Sequence, residues 1–105
     1  MSETTIMRAI RVAVNSSGKA RVFRNNVGLF YSKIGTPTKC GLAVGSGDLI
    51  GFIGPRFLSL EVKTAKGKAS AEQLAWQSTV RKFGGVAEFV RSVEEAMAII
   101  ERECK

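Results

Sequence analysis

The chain has 105 residues, 45% of them hydrophobic and 24% charged, which is the length of one domain (residues 1–105) and the balance of an ordinary globular protein. Sixteen Lys and Arg against nine Asp and Glu leave a formal charge of +7, pointing to a polyanionic partner. A mean hydropathy of +0.06 argues against a membrane-spanning helix, and the absence of histidine excludes Ser-His and Cys-His nucleophile pairs.

Residues 3–14 place Ile6, Ala9, Ile10, Ala13 and Val14 at helical spacing, and Ser16-Ser17-Gly18 ends the segment, which predicts a first helix. Residues 20–24 read as a strand. The turn-rich stretch 25–47 is expected to hold short strands at 29–32 and 42–44. Residues 48–53 and 57–63 are apolar, β-branched or aromatic runs on either side of Gly54-Pro55, which predicts two adjacent antiparallel strands at the centre of the sheet. Period-two geometry sends Leu58, Leu60 and Val62 to one face and Ser59, Glu61 and Lys63 to the other. Ser70-x-x-Gln73 is a capping box opening a helix to about Phe83, with Gln73, Trp76, Val80 and Phe83 on one face and Gly84-Gly85 as the stop. Residues 86–90 form a strand, and Ser92-x-x-Glu95 opens a last helix. The expected class is α/β (α+β), a central mixed sheet flanked by helices in the order αβββαβα.

Cys40 and Cys104 make no C-x-x-C pair and are expected to be reduced, with Cys104 on the apolar stripe of Val93, Met97 and Ile100. Residues 1–15 lack the pattern of a secretory leader, so a cytoplasmic protein is expected. Two glycine-rich matches fail. Gly45-Ser-Gly47-Asp-Leu-Ile-Gly51 has its third glycine one residue late for a dinucleotide fingerprint and precedes a strand, and Lys66-Gly67-Lys68 lacks the earlier glycine and the Ser or Thr of a phosphate loop.

Charge is unevenly spread. Residues 1–69 hold eleven Lys and Arg against three acids, whereas residues 70–105 hold five against six. The basic part offers Lys19, Arg21, Arg24, Lys33, Lys39, Lys66 and Lys68 as candidate contacts to a DNA backbone. A surface that attracts phosphate should keep carboxylates only where they are needed, so its three acids, Glu3, Asp48 and Glu61, become candidates for chemistry. The predicted hairpin brings Asp48 and Glu61-x-Lys63 to one edge of the sheet. Asp48, Glu61 and the Val62 carbonyl are hard oxygen donors for Mg²⁺ or Mn²⁺, and Lys63 is a movable group that can hold a water attacking phosphate as an ammonium or deprotonate it as a neutral amine.

Arg24-Asn-Asn-Val-Gly28, Gly45-Ser-Gly-Asp-Leu-Ile-Gly51, Phe57-Leu-Ser-Leu-Glu-Val-Lys-Thr64, the 67–73 segment with Trp76, and Gly84-Gly85 through Val90-Arg-Ser-x-Glu-Glu-Ala96 occur in this order. In these elements the chain resembles the VRR-NUC family, virus-type replication-repair nucleases of the PD-(D/E)XK superfamily. The resemblance implies a restriction-endonuclease-like fold, Asp48 and Glu61 as metal ligands, Lys63 as the catalytic lysine, Gln73 beside the active site and Glu3 as a first-helix acid directed toward the metal. It also implies a homodimer acting on branched DNA, including four-way junctions. Gly47 stands where the superfamily's name suggests proline, and Phe23 where the family often has tryptophan. A different reading of the same residues is a non-catalytic nucleic-acid-binding protein whose basic surface does the work.

Overall fold

Ser2 begins the first helix by accepting a hydrogen bond from the Thr5 amide, and Gly18 ends it with a left-handed φ of 73°, so α1 runs Glu3–Ser17. In the computed structural model, which describes residues 2–64 and 66–104, five strands follow: β1 (Arg21–Arg24), β2 (Gly28–Tyr31), β3 (Pro37–Cys40), β4 (Leu49–Ile53) and β5 (Arg56–Val62). The chain then forms α2 (Ala71–Lys82), β6 (Val86–Val90) and α3 (Val93–Glu103). The expected order holds, and the 25–47 stretch contributes two short strands as expected, the second of them in a different place. No helix among the described residues is long and apolar enough to cross a membrane.

β1, β4, β5 and β6 lie side by side in that order, antiparallel except for the parallel β5–β6 pair, giving a mixed four-stranded sheet. Alternation along β5 works as period two requires. Leu58, Leu60 and Val62 enter the core with Ile10 and Val14 of α1 and Ala96 and Ile100 of α3, while Ser59 and Glu61 turn toward α2. α1 and α3 therefore cover one face, and α2 packs on β5 and β6 of the other. The β1–β4 half of that second face is left open, with Phe23 and Phe52 more than half exposed.

Among the described residues β2 and β3 pair only with each other, as a separate antiparallel ribbon. The strand expected at 42–44 is absent and β3 lies earlier. Gly41 takes a left-handed φ of 80°, and a Cβ there would stand 2.3 Å from the Asn26 carbonyl oxygen, so the chain turns before Leu42. The Leu42 amide then bonds the Asn25 side chain, and Leu42 and Val44 face solvent.

Two helix-face expectations also change. Phe83 is the C-cap of α2 and is 80% exposed, whereas Gln77 is the buried member of that face beside Val80. Cys104 caps α3 and is exposed, because the helix ends before its apolar stripe reaches that position. Trp76 is half-buried, its ring edge-on to Phe57 at 6.1 Å and its Nε1 donating to Ser59 Oγ at 2.9 Å.

Candidate active site

The site forms where β4 begins and β5 ends. Asp48 immediately precedes β4, and its backbone carbonyl accepts from the Asn25 amide just after β1 at 2.8 Å. Its side-chain Oδ2 accepts from the Val62 amide at 2.8 Å. The residue is thus tied to β1 through its backbone and to β5 through its carboxylate. Glu61 projects from β5 toward the start of α2, where Gln73 Nε2 donates to its Oε2 at 3.1 Å.

Gln73 serves two purposes at once. Its Oε1 accepts from the Ser70 amide at 3.0 Å, completing the capping box, and this orients Nε2 toward Glu61. A helix-start signal legible in sequence therefore also aims a donor into the site.

Lys63 follows β5 directly. Its amide donates to the Val90 carbonyl at 2.9 Å, and its ammonium lies 5.9 Å from the centre of the Phe89 ring. Arg91 donates to the carbonyls of Thr64 and Gly67, tethering the loop beyond Lys63 to the end of β6. Gly67 packs on the Lys63 stem: a Cβ there would lie 3.2 Å from Lys63 Cδ.

Bringing two carboxylates together has an electrostatic cost. Burial, and next the neighbouring Asp48, push the Glu61 carboxyl up from its ordinary 4.5 to about 8; Lys63 pulls the other way, and Glu3 adds the smallest push. At neutral pH and without a cation, Glu61 thus holds a proton against Asp48. Each carboxylate keeps one oxygen that no N–H of the described residues reaches. Two neighbouring carboxyl groups suit a hard divalent cation, which would take the place of the Glu61 proton and offset the Asp48 repulsion that, after burial, raises Glu61. Among the described residues no third Asp, Glu or Cys joins them in a cation-binding group. Glu3, exposed in the first turn of α1, acts on Glu61 through its field without assembling with it.

The pocket in front of these carboxylates, about 450 Å³, is bounded by Arg24, Asn26, Phe30 and Gln73. Arg24 donates through Nε to Asn26 Oδ1 at 2.7 Å and makes no ion pair among the described residues, so its terminal nitrogens remain available. Lys33 and Lys39 lie on the β2–β3 ribbon, and Lys66 and Lys68 on the loop before α2; all four are exposed. Lys19 and Arg21 stand apart from them. In the sheet register Arg21 is opposite Phe52, toward the Gly54-Pro55 turn, while Arg24 is opposite Leu49 at the site. Lys19 is ion-paired with Glu101, and Arg21 stacks over Phe23 at 5.8 Å.

Sequence reasoning missed Asn25. This buried side chain donates from Nδ2 to Ser46 Oγ at 2.8 Å and to the Gly47 carbonyl at 2.9 Å, and accepts at Oδ1 from the Leu42 amide at 3.2 Å. It holds the loop that delivers Asp48. Its sequence signals were its place in the Arg24-Asn-Asn-Val-Gly28 element of the resemblance, which gave it no role, and in a turn-rich stretch, where Asn is common for local reasons. Gly47 is required by the same packing: a Cβ there would stand 2.3 Å from Ser59 Oγ, which Trp76 holds in place. A proline at 47 would meet that contact too. No family model matches the chain, and no curated protein matches it in sequence.

Proposed function

We propose that this protein is a divalent-metal-dependent nuclease of the VRR-NUC type, built on a PD-(D/E)XK core, that hydrolyses phosphodiester bonds in branched or otherwise structured DNA, four-way junctions among them. The observation that carries the reading is the meeting of Asp48 and Glu61 in one pocket, close enough for Asp48 to raise the Glu61 pKa, with Lys63 acting on the same carboxyl. Asp48, Glu61 and the Val62 carbonyl would hold Mg²⁺ or Mn²⁺. Such an ion, when bound, acidifies water and offsets charge developing on phosphate.

The protein's own groups do the rest. Asn25 and the Val62 amide set the position of Asp48, and Gln73 sets that of Glu61. Lys63 places a positive charge next to the acids, where it can orient the attacking water and stabilise the pentacovalent phosphate. Arg24 at the pocket edge suits a neighbouring backbone phosphate, a bidentate role for its planar guanidinium. Exposed Lys33, Lys39, Lys66 and Lys68 extend that contact without reading bases, so DNA shape would set specificity.

The decisive experiment incubates the purified protein with labelled single-stranded, duplex, flap and four-way-junction DNA in Mg²⁺, Mn²⁺ or EDTA. Cuts that need the metal support the reading; binding that persists in EDTA with no cuts under any condition turns it into the non-catalytic alternative. Replacing both Lys66 and Lys68 by Ala is expected to weaken binding and lower the slope of log affinity against log salt by about 1 per lysine. An unchanged slope would remove this loop from the interface.

Asn25→Ala is expected to cost about 2–3 kcal/mol of stability through the lost buried hydrogen bonds. It should also raise the metal concentration needed for half-maximal cleavage about tenfold, as loss of a ligand-orienting partner does. A purely structural residue would lower the melting temperature and leave that metal titration in place.

A homodimer remains part of the proposal. Its support is the uncovered sheet half with Phe23 and Phe52 and the exposed Leu29, Tyr31 and Ile34 of the ribbon. Light scattering should return twice the 11.3 kDa chain mass.

A further inference from the structure

We infer that Phe30 is a base-stacking platform, so that the strand being cut presents an unpaired nucleobase to the pocket; this rests on the nuclease reading above. Asp48, Glu61, Gln73, Arg24 and Asn26 make the pocket polar, and Phe30 stands among them as an aromatic wall. Reading phosphate alone requires no such ring.

The ribbon geometry aims it. Along β2, Gly28 and Phe30 share one face while Leu29 and Tyr31 take the other, and Phe30 pairs across the ribbon with Thr38. The ring edge lies over position 28, where a Cβ would stand 3.4 Å from it in ordinary van der Waals contact, so the ring lies back along its own strand. About half of the residue stays exposed, at 49%. An aromatic surface fixed on one side and open on the other, in a cavity large enough for a nucleotide-sized group, has the form that base stacking uses.

Charge names the occupant. The ring shares its pocket with Arg24, and the turn of its own ribbon carries the exposed Lys33, so a polyanion is drawn there and an uncharged apolar ligand has no reason to prefer it. A base within a duplex already has both faces covered by its neighbours. Only a base splayed from the stack, at a single-stranded segment, a flap or a junction branch point, can reach Phe30. The platform thereby supplies a physical basis for preferring unpaired DNA next to the scissile phosphate, independent of base identity because every base has a π-face.

The test compares wild type with Phe30→Ala, Phe30→Leu and Phe30→Trp on one single-stranded oligonucleotide and on its fully paired duplex. Cleavage is followed in Mn²⁺, and binding in EDTA with 2-aminopurine placed at successive positions along the single-stranded oligonucleotide. Phe30→Ala and Phe30→Leu are expected to lower the single-strand-to-duplex ratio of kcat/KM about tenfold, through KM rather than kcat. Both should abolish quenching of the 2-aminopurine fluorescence, and Phe30→Trp should restore ratio and quenching together. Phe30→Leu keeps an apolar side chain of similar bulk, so its loss separates stacking from packing. Equal losses on both substrates, or an unchanged ratio in Phe30→Leu, overturn the platform while leaving the nuclease reading intact. Wild-type quenching that Phe30→Leu abolishes, in a protein that cuts nothing in Mn²⁺, overturns the nuclease reading and upholds the platform.

Discussion

Asp48→Asn lowers DNA cleavage roughly thousandfold or more under the proposed function and leaves the protein folded. The asparagine retains an oxygen for the Val62 amide, which now donates to Asp48 Oδ2 at 2.8 Å, and keeps the backbone bond to Asn25. It removes the negative charge that a divalent cation needs, and with it several kcal/mol of charge stabilisation on the reacting phosphate. Calorimetric titration with Mn²⁺ should lose its heat of binding, DNA affinity in EDTA should stay within about threefold, and the melting temperature should move by only a few degrees. A preparation of this variant that cuts at the wild-type rate would remove Asp48 from the centre of the site.

Glu61→Gln separates stability from activity in opposite directions. The Glu61 carboxyl is pushed up to about 8 from an ordinary 4.5, first by burial and then by Asp48. The folded metal-free protein therefore binds a proton that the unfolded chain has released in this window. The stability associated with that proton is fully present below about 4.5 and is lost as pH rises through about 8. Glutamine resembles the protonated form at every pH and still offers an oxygen to Gln73. The variant should gain roughly 2–4 kcal/mol over wild type at pH 8 in EDTA, on the order of 10 °C in melting temperature, and should match it near pH 4.5. Cleavage should be abolished. Mg²⁺ at pH 8 should raise the melting temperature of wild type by binding the native state and leave Glu61→Gln unmoved. Thermal melts across pH 4.5–8 read all of this, and a gap that stays constant with pH would sink the account of Glu61.

These expectations also mark what was legible in residues alone. Period two put Glu61 and Lys63 on the face opposite Leu58 and Leu60, and Ser70-x-x-Gln73 located the start of α2, because strand alternation and helix capping are set within a few residues. The scarcity of acids in residues 1–69 singled out Glu3, Asp48 and Glu61, and the charges of all three meet at Glu61. The 25–47 stretch was harder. Leu42 and Val44 have strand-like side chains, yet the local backbone is decided by the approach of Gly41 to Asn26 and by the Asn25 hydrogen bond, neither of which is a neighbour effect.

Position along a helix stripe failed in the same way at Phe83 and Cys104. Their spacing was helical, but each stands as the cap where its helix stops, so the stripe had run out. Likewise residue type alone did not show that Lys19 pairs with Glu101 or that Arg21 stands at the opposite end of β1 from Arg24, because ion-pair partner and strand register join distant parts of the chain.

Local chemistry determined the helices, the central hairpin and the identity of the acids, since periodicity, caps and turn residues act over distances the chain itself spans. Tertiary structure alone decided that Asn25 braces the loop before Asp48, that the side-chain amide of the capping Gln73 bonds Glu61, and that Phe30 lines the carboxylates' pocket from a separate ribbon. Those relations join residues 12 to 31 positions apart. They depend on which strands pair and which faces helices cover, and so on the packing of the whole chain around one sheet.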